Sequence, residues 1–161
     1  MGNWFPGTEN SQTGIAPLNN QFLGKHKHVL DTPALLLDAA AMERNLERMA
    51  SYMDSTTATL RPHVKVHRAT PQLARKQIQS GAIGCTCAKL CEAEVLASAG
   101  VDDILIANQV TGKIKMQRLA ALAKKCRIMV AVDDPLNVAE LSQAAVSHAV
   151  EIGVLVETNV G

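Results

Sequence analysis

Hydrophobic residues in this chain come in short blocks that alternate between two spacings. Leu35-Leu36-Leu37 is a brief apolar run of the kind a strand uses. After Asp38, Met42, Leu46, Met49, Ala50 and Met53 recur at helical intervals and form one stripe, with Asp38 placed as a cap. The pattern then repeats. Leu60 to Lys65, Ile83 to Ala88, Asp103 to Ala107, Ile128 to Val132 and Glu151 to Glu157 read as strands. Helices are predicted between them. One opens at Thr70-Pro71 and ends at Gly81. A second runs from Leu90 to Ala99 and stops at Gly100. A third spans about Gly112 to Lys125, with Met116, Leu119, Ala120 and Ala123 on one face. A fourth opens at Asp134-Pro135 and buries Val138, Leu141 and Ala145.

The strand starts recur roughly every 20–25 residues, which argues for a parallel α/β sheet with crossover helices. Two architectures fit: an open doubly wound sheet, or part of a (β/α)8 TIM barrel. A whole barrel takes about 250 residues, so this chain would supply about five barrel strands. Pattern alone slightly favours the open sheet. Residues 1–30 carry no periodicity and are expected to form an extended or disordered arm, with the domain proper at 31–161. Within that arm, Lys25-His26-Lys27-His28 reads as a solvated basic run.

Composition narrows the class. With 47% hydrophobic residues in 161, a packed core is expected, and with only 2% aromatics it must be aliphatic. A net charge of +1 gives no reason to expect nucleic acid or an anionic membrane as partner. No apolar run reaches the roughly 20 residues of a membrane helix. The first 20 residues lack a signal-peptide pattern, and Pro6 stands where a myristoylation motif needs Ser or Thr. Cys85, Cys87, Cys91 and Cys126 read as small buried thiols of a cytoplasmic protein. Cys-x-Cys-x3-Cys is the alternative metal reading, but a second knuckle of zinc spacing is missing.

Chemistry concentrates in Arg61-Pro62-His63-Val64-Lys65-Val66-His67. Read as a strand, it places Arg61, His63, Lys65 and His67 on one face, about 6–7 Å apart. Four cations on an inward face call for an anionic ligand or for chemistry that uses them. An amine must shed its proton to attack an aldehyde, and surrounding cations favour that. A phosphate-bearing cofactor beside a reactive lysine satisfies both demands. The competing reading is a lysine paired with an acid across the sheet. Glu157, Asn108 and Asn159 fall at strand C-terminal ends, where barrel sites lie. His148 reads as the polar margin of a helix.

Three segments in order, Asp31-Thr32-Pro33-Ala34-Leu35-Leu36-Leu37-Asp38, Arg61 to His67, and Gly84-Cys85-Thr86-Cys87-Ala88-Lys89-Leu90-Cys91-Glu92-Ala93-Glu94, resemble the N-terminal half of the D-threonine aldolase and D-serine dehydratase family. Val154 to Gly161 fits a later strand of the same family. The resemblance implies an alanine-racemase-type barrel with a separate β domain, to which the Leu35–Leu37 strand would belong. It implies that Lys65 carries pyridoxal phosphate as a Schiff base and acts catalytically, with Arg61, His63 and His67 as further cofactor contacts. It implies a lyase that cleaves β-hydroxy-D-amino acids to glycine and an aldehyde, or a dehydratase. It also implies a divalent metal and a homodimer for the complete protein.

This sequence departs from the family pattern in two ways. Ala88 stands where some members have a cofactor-contacting Gln. The chain also stops before the phosphate-binding loops and before the His-x-Asp or His-x-Cys metal pair, so no metal ligands are expected within it. An inactive fragment prone to dimerise or aggregate, and a module binding a phosphorylated ligand, are the remaining alternatives.

Overall fold

A computed structural model describes residues 20–161. Most of the expected N-terminal arm lies outside these residues. The chain divides into a unit ending at Asp38 and a second from Ala39 to Gly161. In the first, short 3-10 turns at Asn20–Phe22 and Lys27–Val29 are the only regular elements described. The His26 and His28 rings stack there at 4.5 Å, on an exposed run. Leu35–Leu37 forms no strand: it has no ladder partner among the described residues, and all three side chains are exposed. A strand exists only through its neighbour's hydrogen bonds, which an apolar triplet cannot supply alone.

The second unit runs α1 (Ala39–Asp54), α2 (Pro71–Gln79), β1 (Cys85–Cys87), α3 (Leu90–Ser98), β2 (Asp103–Gln109), α4 (Lys113–Leu122), β3 (Arg127–Val132), α5 (Pro135–His148) and β4 (Gly153–Val156). The first-turn prolines Pro71 and Pro135 open α2 and α5 where the sequence places them. Asp134 Oδ1 accepts from Leu136 N at 2.6 Å, just ahead of a first-turn Pro135. Past the end of α3, Gly100 adopts φ +82°, a conformation that suits a residue without Cβ.

The four strands are all parallel and lie in the order β1-β2-β3-β4. That order decides between the two architectures. A doubly wound sheet reverses its strand order at a switch point. Strands laid down in sequence by right-handed crossovers instead keep every helix on one face, as in a barrel wall. The sheet is open, and β4 is exposed along its length, so the arrangement is a partial barrel. The core lies between sheet and helices, with Leu96, Ile104, Ile106, Leu119, Ile128 and Val130 fully buried. In α5 the buried face is Asn137, Leu141 and Ala144, one step round from the expected stripe. Asn137 turns inward because its Nδ2 donates to Val110 O at 2.8 Å.

The first expected barrel strand is the principal difference. Leu60 to His63 lies beside the β1 segment: Ile83 N donates to Leu60 O (2.9 Å) and Thr86 N to Pro62 O (2.8 Å). Only His63↔Thr86 counts as a bridge, however, and Val64–His67 curls into a 3-10 turn. Two causes are local. Pro62 has no N–H to donate to a ladder. His63 Nδ1 accepts the Lys65 amide at 3.3 Å, which draws the chain round. A 3-10 turn repeats every three residues, so Arg61, His63, Lys65 and His67 do not share the single face that alternation predicts.

Candidate functional site

The four basic residues of this segment have three different surroundings. Arg61 stays at the N-terminal end of the sheet. Its Nε and Nη2 donate to Asp103 Oδ1 at 3.0 and 2.6 Å, and Asp103 Oδ2 accepts from Arg127 Nη1 at 2.9 Å. Asp103 and Arg127 are the first residues of β2 and β3, so the network closes the N-terminal rim. Gly84 makes room for it. A Cβ there would lie 2.8 Å from Asp103 Cβ and 2.9 Å from its Oδ1. Arg61 is therefore committed to an ion-pair network rather than grouped with Lys65.

His63 and Lys65 sit where the chain leaves the sheet toward the C-terminal ends of the strands. Lys65 is exposed. His63 is held below the ordinary histidine pKa, first by desolvation and then by the Lys65 charge, while Glu92 pulls the other way. Glu92 is fixed at the start of α3, where its Oε2 accepts from Ala88 N (2.8 Å) and Lys89 N (3.1 Å). Lys89 has no side-chain acceptor to complete a capping box, so residue types alone do not mark Glu92 in the sequence. His67 faces α2. Its Nδ1 accepts from Thr70 N at 3.1 Å, and its Nε2 lies 3.2 Å from Gln77 Oε1. Nothing in the sequence pattern pairs residues 67 and 77.

A second polar group lies along the C-terminal rim. β2 slips register between Ile106 and Gln109, and the bulge re-aims its last residues. Asn108 Nδ2 then donates to Ala88 O at 3.0 Å. Gln109 Nε2 donates to Asp133 Oδ2 (3.0 Å) and Glu157 Oε2 (2.8 Å), tying the ends of β2, β3 and β4 together. Asn159 Oδ1 accepts only the local Gly161 amide among the described bonds, and His148 Nδ1 lies 3.0 Å from Ala144 O within its own helix.

All four cysteines are free. Burial pushes the Cys85 thiol to about 11 and the Cys87 thiol to about 12. Thiols so reluctant to ionise are poor nucleophiles. No group of three or more His, Cys, Asp or Glu among the described residues could hold a metal ion. No described helix is long and apolar enough to cross a membrane.

Residues 37–161 match the family model described as alanine racemase, N-terminal domain. The chain belongs to this family. Among alanine racemase N-terminal domain relatives, it is 42% identical over 132 residues to a D-threonine aldolase of an Arthrobacter species, covering 82% of this chain and 35% of that protein. It is 37% identical over 139 residues to a 3-hydroxy-D-aspartate aldolase of Paracoccus denitrificans, covering 86% and 36%. The crystal structure of D-threonine aldolase from Filomicrobium marinum superposes with a TM-score of 0.79 at 46% identity, over 81% of this chain and 35% of that one. The chain therefore spans about a third of the length of the relatives it matches. The alanine racemase N-terminal domain accounts for the sequential parallel strands and the helices on one face.

Proposed function

We propose that this chain carries the cofactor-lysine portion of a pyridoxal-phosphate lyase acting on β-hydroxy-D-amino acids, with an aldolase reaction as the first reading. The observation that supports it is the position of Lys65. It is an exposed amine on a hydrogen-bonded turn, where the first barrel segment leaves the sheet, inside the region similar to two D-hydroxyamino-acid aldolases. Barrel enzymes assemble their sites at that end.

The residues present suit the aldehyde end of the cofactor. A primary amine is the group that condenses with an aldehyde, and it is held on an ordered backbone. Pyridoxal phosphate, when bound, supplies an electron sink for cleavage of a bond at the substrate Cα. Lys65 Nζ anchors it and, when free, can take a proton from the substrate. His63, whose surroundings favour the neutral ring, is beside that amine without adding a second fixed cation. Arg61 supports the reading from below by fixing the start of the segment, and His67 by fixing its end. Asn108, Gln109 and Glu157 give the same rim a polar, hydrogen-bonded margin, which supports a polar substrate there. The metal, the homodimer and the cytoplasmic location belong to this proposal for the complete protein.

The test is to mix the purified chain with pyridoxal phosphate, reduce with borohydride, and locate the adduct by peptide mass. A selective adduct at Lys65, absent in Lys65→Ala, is expected. Labelling spread over surface lysines would overturn the reading.

A further inference from the structure

The turn carrying Lys65 contains an unusual stretch of backbone. Arg68 and Ala69 are consecutive non-glycine residues in the left-handed region, with φ of 53° and 55°. L-residues resist this conformation, and it persists where the surroundings over-determine it. Here they do. Arg68 N donates to Lys65 O (3.1 Å), Ala69 N to Val64 O (3.0 Å) and Thr70 N to His67 O (3.2 Å). The Ala69 side chain is buried in the core. Thr70 precedes α2, but its hydroxyl does not cap that helix; it donates to His67 O at 2.5 Å.

One imidazole ties these bonds together. The Thr70 amide can only donate, so His67 Nδ1 must be the acceptor and the ring proton must sit on Nε2. From there it donates to Gln77 Oε1, on α2. Gln77 thus selects the tautomer that lets His67 receive Thr70. A ring with the proton on Nδ1 would leave the Thr70 amide only its bond to His67 O at 3.2 Å and would require the Gln77 amide to turn over. Lys65 lies two residues before His67, and its own carbonyl is engaged by the same turn.

We propose that His67 and Gln77 are positioning residues for Lys65: Gln77 sets the imidazole tautomer, the imidazole sets the turn, and the turn sets where the amine is presented. In its role for the amine, this rests on the cofactor reading above. It places His67 behind the lysine rather than against the ligand, and it adds a residue on α2 to the machinery.

Gln77→Leu removes the acceptor at similar size, and Gln77→Glu keeps one. Three readouts on the whole chain separate the possibilities. Long-range proton–nitrogen NMR should show His67 protonated on Nε2 in the parent and a tautomer mixture in Gln77→Leu. Amide hydrogen exchange at Arg68, Ala69 and Thr70 should rise about tenfold in Gln77→Leu, with β2 and β3 amides unchanged. The pyridoxal phosphate concentration for half-labelling of Lys65 should rise about tenfold in Gln77→Leu and return to within about twofold in Gln77→Glu, since small misplacements of a reacting group are costly. An Nδ1-protonated ring in the parent overturns the proposal. So does unchanged exchange in Gln77→Leu, or faster exchange with unchanged Lys65 labelling. If the parent shows the tautomer and exchange pattern but never labels at Lys65, the ordering of the turn stands and the cofactor reading falls.

Discussion

The two ends of the sheet solve opposite problems with similar residues. At the N-terminal rim, the one Asp103 carboxylate accepts from both Arg61 and Arg127 over the gap left by Gly84. Each of the three side chains there is ion-paired, and regular strands begin at Asp103 and Arg127. At the C-terminal rim the backbone departs from strand geometry. It curls at Val64–His67, bulges after Ile106, and takes left-handed angles at Arg68 and Ala69. Polar groups there are tied by amides and imidazoles, while Lys65 stays exposed. The same segment feeds both rims: Arg61 is held in an ion pair at one, and Lys65, the proposed cofactor lysine, is exposed at the other, four residues apart. An irregular backbone costs stability, and its concentration at one rim marks the end where chemistry is expected.

The largest effect that would break this contrast is chemical. Lys65→Ala should abolish the borohydride-trapped adduct while leaving the urea midpoint unchanged, because the side chain is exposed. A destabilised Lys65→Ala would mean that the lysine belongs to the structural rim after all. Next, Gly84→Ala should lose about 1–3 kcal/mol in urea unfolding, the usual cost of overpacking, because the new Cβ meets Asp103. An unaffected midpoint would show that the rim is looser than described. Asp103→Asn should cost about 1–2 kcal/mol, between the small worth of exposed ion pairs and the larger cost of breaking buried ones. Within that network Arg61→Ala should cost more than Arg127→Ala, since the side chains are 19% and 69% exposed. The reverse order would relocate the centre of the network.

The smallest effect is electrostatic, and a proton NMR titration of His63 reads it. Lys65→Gln removes a charge that lowers the His63 pKa, so the pKa should rise; Glu92→Gln removes one that raises it, so the pKa should fall. The folded pKa lies below the 6.5 of an unperturbed histidine, so the unfolded chain binds more protons as pH drops. The contribution of His63 to stability is then complete above about 6.5 and is lost as pH falls through the lowered folded value. A His63→Gln variant should show a flatter decline in urea midpoint across that window. An equally steep decline would assign the acid sensitivity to other groups.

Much of the sheet was legible along the chain because its signals are local. Period-two burial in β2, first-turn prolines after Thr70 and Asp134, and glycines after α2 and α3 act within a few residues of where they stand. The Arg61–His67 strand was misread for a reason that is also local but weaker. A histidine ring accepting an amide two residues on competes with alternation, and no hydrophobic pattern records the competition. Leu35–Leu37 failed as a strand because pairing is a property of two segments, not one.

The amino-acid sequence by itself determined the strand–helix alternation and the helix boundaries to within a few residues, and it nominated Lys65 as the candidate cofactor lysine. Only the tertiary structure decided the strand order, the assignment of Arg61 to Asp103 rather than to the lysine, and the partnership of His67 with Gln77. Periodicity records which face of an element is buried. It does not record which side chain completes a hydrogen bond, because that depends on how crossovers bring residues 42 positions apart into reach and on how a turn sets a helix against residues 10 positions back.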